Sequence, residues 1–331
     1  MPANLSPEYK QAEQAYRACR EPRERLDSLK EMLRTIPKHK GTEHLQADIK
    51  SRIKELTDAL SGAKKAGGRS GGFAVRREGA AQVCLVGPPN AGKSSLHAAL
   101  TGSHTEVGPF PYTTKAPVPG MLAFEDVAFQ LLDLPPVSSR HTDPAVYSIL
   151  QGADAAWLVV DLSDPQCTDQ VMEIREELAR RKILLEERWP APTGENIFQL
   201  RLPTLLIANK SDLDPDPEEV KVLEELLEIR YPAMAVSART AKGLGELAPF
   251  LFRALGIVRV YSKVPGKPAD RDRPFVVRKG DRVLHVARLV HQDLAASLKY
   301  ARLWGSGEFD GQHVGPEHPV ADGDVLELHA R

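Results

Sequence analysis

Gly87-Pro88-Pro89-Asn90-Ala91-Gly92-Lys93-Ser94 places two glycines, a lysine and a hydroxyl at fixed offsets, between the apolar run Val83 to Val86 and the helix-like stretch Ser95 to Leu100. This is the pattern of a phosphate-binding loop. Glycine lets backbone N–H groups approach phosphate oxygens, and the helix that follows adds the positive end of its dipole. On this reading Gly87, Asn90, Ala91, Gly92, Lys93, Ser94 and Ser95 line the phosphates. Lys93 neutralises β/γ-phosphate charge and the Ser94 hydroxyl ligates Mg²⁺.

A second constellation specifies the base. Leu205-Leu206-Ile207-Ala208 reads as a buried strand that ends in Asn209-Lys210-Ser211-Asp212. A carboxylate at Asp212 accepts from both the ring N–H and the exocyclic amine of guanine. Adenine has no such donor pair, so a site built on Asp212 rejects it by leaving the carboxylate unpaired. Lys210 is expected along the base face, and Asn209 is expected to tie this loop to the phosphate loop. Taken alone, the tetrad also suits a turn with a helix cap. A further strand, Ala233 to Val236, ends in Ser237-Ala238-Arg239, the expected closure over the guanine oxygen.

Two switch elements belong between these motifs. Tyr112-Thr113-Thr114 supplies a threonine to complete a Mg²⁺ shell and bond the γ-phosphate, and Asp133, after the alternating strand Val127 to Leu132, supplies a carboxylate to hold Mg²⁺ through water. Such elements are ordered by the γ-phosphate and released on its loss. Asp133-Leu134-Pro135-Pro136 then departs from the usual pattern, because Pro136 stands where a glycine would donate its N–H, and proline has none. Val137 follows, so a water-orienting glutamine is also missing. Slow hydrolysis and weak coupling of this switch are expected. Arg140 and His141 lie nearby, either acting on water or charge or simply solvated.

With these residues in place, the chain resembles the Obg-related GTPases, and most of all the developmentally regulated GTP-binding proteins. Pro89 to Ser94, Tyr112-Thr113-Thr114 with Pro117 and Gly120, Asn209 to Asp212 and the C-terminal region carry the resemblance. It implies that Thr114 is the Mg²⁺-binding threonine. It also implies that Asn90 helps to hold K⁺ beside the phosphates in place of an arginine finger, a device that contributes roughly 10³ to 10⁵ in rate. Lys93, Thr114 and Asn90 are thus the expected catalytic residues. Asn90 has a simpler reading as a residue stabilising a left-handed turn.

The elements around these motifs set the architecture. Ser6-Pro7-Glu8 is a helix start, with a cap, a proline at the first position and an acid in the first turn. Leu26, Leu29, Leu33 and Ile36 form one helical stripe, and Leu45, Ile49, Ile53, Leu56 and Leu60 another, with a break at Pro37 to Gly41. An antiparallel helical hairpin follows from this, over residues 1–66. The glycine-rich stretch Gly67 to Gly72 reads as a linker over 67–80.

The nucleotide domain is expected over 81–256. Within it Met172 to Leu202 is too short for the small domain that the resembled family inserts there, and it suggests a helix over Val171 to Glu187 followed by a loop, Pro190 to Gly194. From 257 to 331 the pattern changes. Val258 to Lys263 is a strand, Val283 to Leu298 is helix-like, and Val325 to Leu328 closes. Together with Lys299 to Gly305 and Asp322-Gly323-Asp324, this resembles the TGS domain, a ubiquitin-like β-grasp module that docks on RNA or protein. Tyr300 and Trp304 suit either a core or an exposed stacking platform. The expected fold class is therefore α/β, a P-loop GTPase domain between a helical hairpin and a β-grasp module.

Composition fits an ordinary globular chain of 331 residues, 42% hydrophobic and 27% charged. Cys19, Cys84 and Cys167 are too few and scattered for a disulfide framework or zinc cluster, and suit a reducing cytoplasm. No apolar run approaches the length of a membrane span, and the first residues lack a signal-peptide pattern, so a cytoplasmic, membrane-free protein is expected. The sequence leaves the oligomeric state open, with a monomer favoured. The net charge of −1 conceals a division: residues 1–78 carry 17 Lys/Arg against 11 Asp/Glu, and residues 79–256 carry 15 against 24. A basic arm is a footprint for RNA or a solvated helix face. Two functions follow: a GTPase switch, acting by resemblance on ribosomes or translation, or a guanine-nucleotide-dependent binding module with negligible hydrolysis. An ATPase or nucleotide kinase is disfavoured by Asp212.

Overall fold

The computed structural model describes residues 6–19, 22–37, 42–62, 75–103, 117–138, 142–192, 198–213 and 218–330. Tyr112, Thr113, Thr114, Arg140, His141 and the glycine-rich stretch lie outside these residues. Three helices lead the chain: α1 (Pro7–Ala18), α2 (Pro22–Thr35) and α3 (Glu43–Gly62). The α2–α3 hairpin is the one that the apolar stripes describe, and α1 is an additional helix packed against α2. Ser6 fixes it twice, because its Oγ accepts from the Tyr9 N–H and donates to the Thr35 carbonyl, both at 3.1 Å. Tyr9, Leu29, Met32 and Ile49 close the core of this module together with Phe198 from the next domain.

The central layer is built from β1 (Gln82–Val86), α4 (Lys93–Thr101), β2 (Val118–Phe124), β3 (Val127–Asp133), α5 (Pro144–Leu150), β4 (Ala155–Asp161), α6 (Cys167–Arg180), β5 (Ile183–Glu186), β6 (Leu200–Asn209), α7 (Glu218–Leu227), β7 (Ala233–Ala235) and α8 (Leu247–Ala254). The strands run in the order β2-β3-β1-β4-β6-β5, with β7 also beside β6. All pairings are parallel except β2 with β3. Strands covered on both faces need continuous apolar runs, and β1 and β4 have them. Leu132, Leu158 and Leu206 pack on one face with Val146, Ile174 and Leu223, and Leu85, Trp157 and Ile207 on the other with Leu96 and Leu251. The carboxyl ends of β1, β3, β4 and β6 therefore open at one edge, where open α/β sheets bind ligands.

Two expectations are corrected. The helix expected over Val171 to Glu187 stops at Arg180, Lys182 turns with φ 59°, and Ile183–Glu186 forms β5 on β6. The Ile183 side chain, fully buried, gains more from the sheet than from another helical turn. Similarly, Val283 to Leu298 is not one helix. It breaks at His291, whose backbone is extended, into α9 (Val283–Val290) and α10 (Gln292–Ser297).

The second sheet adds β8 (Ile257–Lys263), β9 (Ala269–Arg278), β10 (Leu298–Trp304), β11 (Gln312–Val314) and β12 (Asp324–Ala330), in the order β11-β10-β12-β8-β9. Val258, Val260, Ala301, Leu303 and Leu326 face α9 and form its core. Arg259 joins this sheet to the β2–β3 turn. Its guanidinium pairs with Asp322 at 2.7 Å, with Asp126 at 2.8 Å and with Glu125, and stacks over Phe252.

Candidate nucleotide site

Two glycines of the phosphate loop are dictated by close approach. A Cβ on Gly87 would lie 2.3 Å from the Val159 carbonyl oxygen, and one on Gly92, which caps α4 at φ 85°, would lie 2.3 Å from Asn209 Nδ2. Between them Ala91 is buried and Asn90 is exposed with φ 62°, so Asn90 does form the left-handed turn of its simpler reading. Ser94 and Ser95 follow in the first turn of α4. Lys93 is buried at 6% exposure, and its Nζ donates to the carbonyls of Gly87 at 3.0 Å and Pro88 at 2.7 Å. Burial pushes its ammonium down to about 8, with the charge of Asp133 opposing the shift.

Asp133 ends β3 directly opposite Leu85 in the register and is fully buried. Its Oδ2 accepts from Ser94 Oγ at 2.6 Å, whereas Oδ1 has no hydrogen-bond partner among the described residues. Burial raises the carboxyl above the usual carboxylate range against the Ser94 hydrogen bond and the Lys93 charge. A hydroxyl beside a buried carboxylate with an unspent oxygen suits a hard, oxygen-seeking cation, so this pair fits Mg²⁺. Past Asp133, Leu134, Pro135, Pro136 and Val137 are all buried, and the Val137 N–H donates to the Gly87 carbonyl at 3.4 Å. The segment expected to open the second switch is thus seated in the core beside the Gly87 to Ser94 loop.

On the base side, Asn209 joins three loops. Its Nδ2 donates to the Ala91 carbonyl at 3.0 Å and, more weakly, to Gly92 at 3.5 Å, while its Oδ1 accepts from the Ala238 N–H at 3.2 Å. Asp212 accepts from Ser237 Oγ at 2.5 Å and pairs with Arg239 Nη2 at 2.6 Å. The Ser237 hydrogen bond and then the Arg239 charge hold its carboxyl below the usual range. Lys210, at φ 61°, reaches Asp161 Oδ2 at 2.5 Å.

Sequence reasoning missed two partners in this arrangement. Asp161 sits at the end of β4, next to Asn209 in the β4–β6 register, and orients Lys210. An acid closing a buried apolar strand was the available signal. Arg239, expected only as part of its loop, pairs with the Asp212 carboxylate. Gly87 to Ser95 and Asp133 meet Asn209 to Asp212 and Ser237-Ala238 at one sheet edge, while Thr114 is outside the described residues.

Residues 82–188 match the family model described as 50S ribosome-binding GTPase, and residues 258–330 match the TGS domain. An uncharacterized GTP-binding protein of Halobacterium salinarum is 29% identical, covering 93% of this chain and 99% of its own length. Developmentally-regulated G-protein 2 of Arabidopsis thaliana is 26% identical over 92% of this chain and 90% of its own length. Among solved structures, the Schizosaccharomyces pombe YchF GTPase aligns with a TM-score of 0.53 at 14% identity, over 78% of this chain and all of that one. A GTP binding protein from Pyrococcus horikoshii aligns at 0.51 and 17% identity, over 76% of this chain. These two likenesses establish the fold and nothing finer.

Proposed function

We propose that this chain, which belongs to the Obg-related P-loop GTPases of the developmentally regulated type and carries a C-terminal TGS domain, is a slow GTPase switch with its output on ribosomes or RNA. The observation that carries the nucleotide reading is the single carboxamide of Asn209, bonded at once to the phosphate loop and to the Ser237-Ala238 loop. A base held by Asp212 and phosphates held by Lys93 then share one rigid frame.

In the proposed reaction, water attacks the γ-phosphorus, the bond to the β,γ-bridging oxygen breaks, and GDP and phosphate leave. Lys93 would exchange its two loop carbonyls for phosphate oxygens, a short swing within the same loop. Ser94 and Asp133 would hold Mg²⁺, with Thr114 completing the set by resemblance. When bound, that ion supplies neutralisation of charge on the β/γ-phosphates. By the same resemblance Asn90 would take K⁺, and its exposed position on a left-handed turn leaves its amide oxygen accessible.

Turnover of purified protein is the test, measured with Mg²⁺ in KCl and in NaCl at equal ionic strength. A rise in K⁺ of at least ten-fold is expected if K⁺ stands in for part of an arginine finger. Equal rates in both salts would remove Asn90 from the reaction. For the ribosomal output, the protein should co-sediment with ribosomes under a GTP analogue more than under GDP, and absence from ribosomal fractions in both states would count heavily against it.

One observation favours the second reading, a nucleotide-dependent binding module. The segment from Leu134 to Val137 is buried, Pro136 has no N–H, and the next N–H is spent on Gly87. A charge-assisted hydrogen bond contributes about 1.5–3 kcal/mol, so Pro136→Gly should raise turnover by roughly 10- to 100-fold where the remaining machinery is competent. An unchanged, negligible rate in this variant would favour the binding module.

A further inference from the structure

The outer face of the C-terminal sheet carries side chains that its folding does not require. Along β10, Ala301 and Leu303 point inward and are fully buried, which satisfies the core, whereas Tyr300, Arg302 and Trp304 alternate onto the opposite face and stay partly or wholly exposed. Tyr300 and Trp304 are therefore outside the module's core. On that face Tyr300 lies between two imidazoles, His313 of β11 at 4.4 Å and 13° and His329 of β12 at 4.6 Å and 12°. Three rings thus stack across three adjacent strands, and the ladder ends at the exposed His313 on an edge strand. Arg302 reaches the same imidazole at 3.3 Å.

Beside the ladder, Trp304, Lys263, Arg271 and Asp310 line an open surface depression of about 420 Å³. Lys263 Nζ stands 4.5 Å over the Trp304 ring, and Arg271 lies over Tyr261 at 5.7 Å. Two acids stand amid these groups: Glu327 is buried and already paired with Lys263 at 2.6 Å and with His329 at 2.8 Å, whereas Asp310 is exposed at the rim of the depression. Beside Asp310, what remains available is planar rings together with the cations Arg271 and Arg302.

We infer that this face binds single-stranded RNA, with unpaired bases stacking on the end of the His313–Tyr300–His329 ladder and beside Trp304, and with Arg302 and Arg271 taking the intervening phosphates. The inference rests on the RNA branch of the proposed function and places that contact on one surface. Ring faces accept any base, and cations spaced along a strand track a backbone, which together select single strands over duplexes. A protein partner would be expected to need a continuous apolar patch, whereas here the rings are bordered by Arg302 at His313 and by the Lys263–Glu327 pair at Trp304 and His329, and the exposed Val264 and Phe309 stand singly in the loops after β8 and β10.

Full-length protein, loaded with GDP or a GTP analogue, would be titrated into a fluorescently labelled RNA of about ten nucleotides, with a duplex RNA of the same length for comparison. Stacking on an aromatic side chain is worth about 5- to 150-fold per base. Tyr300→Ala and Trp304→Ala should each weaken single-strand binding within that range and leave GTP affinity unchanged. Arg302→Gln, which removes charge from an exposed position and leaves the rings, should weaken binding and flatten its salt dependence. It also covers the case in which an aromatic variant does not fold.

Single-strand binding that all three variants leave intact would overturn the assignment to this face, and the RNA reading would survive at another site such as the N-terminal helices. No binding by the wild type in either nucleotide state would overturn both. Equal affinity for duplex and single strand would remove stacking as the mode.

Discussion

Asp212→Asn should weaken GTP binding by about 10²-fold or more and turn base preference toward xanthine, because two charge-assisted hydrogen bonds at about 1.5–3 kcal/mol each depend on that carboxylate. The structure supplies the frame for this expectation. Asp212 is held from behind by Ser237 Oγ at 2.5 Å, and its carboxylate is 11% exposed at the edge where a base would enter. An amide keeps the shape but turns one of two acceptors into a donor, which then faces the N–H groups of guanine. Xanthine carries a carbonyl in place of the exocyclic amine and accepts from that donor, so the same substitution that penalises GTP favours XTP. Competition of GTP, XTP and ATP against a fluorescent guanine nucleotide reads both effects. An unaltered GTP-to-XTP ratio would overturn the guanine assignment of Asp212 and return the Asn209-Lys210-Ser211-Asp212 turn to a structural role.

The features that could be read from sequence are those in which chemistry or packing forces residue type at short range. A loop that wraps phosphate needs Gly87 and Gly92 at fixed distances from Lys93, and the structure gives the steric reason for each glycine. Buried parallel strands need unbroken apolar runs, so β1 and the middle of β6 stand out. The cap at Ser6 is local and equally visible.

Features decided by distant partners were not legible. Amphipathic helix pattern runs straight from α6 through Arg181 into Ile183, and only the presence of β6 alongside makes β5 a strand. A basic residue in β8 gives no hint that it will meet Glu125, Asp126 and Asp322 at once. Tyr300 and Trp304 at i and i+4 fit a helix or a strand equally. The register of β10 settles it, since residues two apart in a strand share a face. Within the candidate site the same division holds, for Lys93 and Asp212 announce themselves through motifs, Asp161 shows only as an acid closing an apolar strand, and Arg239 becomes visible only once β6 and β7 converge.

The same buried carboxylate that suits a cation should destabilise the protein without one, and Asp133→Asn separates the two consequences. Asp133 is fully buried, spends one oxygen on Ser94 and has the other unpartnered among the described residues. Its carboxyl is raised above the usual range chiefly by burial. The folded state therefore holds this proton more tightly than the unfolded chain does. Between the ordinary carboxylate value and the raised one the unfolded state binds fewer protons, so stability falls as pH rises through that window and stays low above it.

Asparagine has no charge to desolvate, so the variant should lack this pH-dependent loss. At neutral pH and without nucleotide it should melt higher, by about 2–4 °C for each ~1 kcal/mol recovered. With nucleotide the order should reverse, because the amide is a poor outer ligand, and Mg²⁺ affinity of the complex should drop by about 10- to 100-fold. Thermal melts at several pH values without nucleotide, beside Mg²⁺ titrations with GDP bound, measure the two halves separately. A variant that melts lower at every pH would show Asp133 to be a structural partner of Ser94. One that melts higher and keeps its Mg²⁺ affinity would leave the carboxylate without a role at the metal.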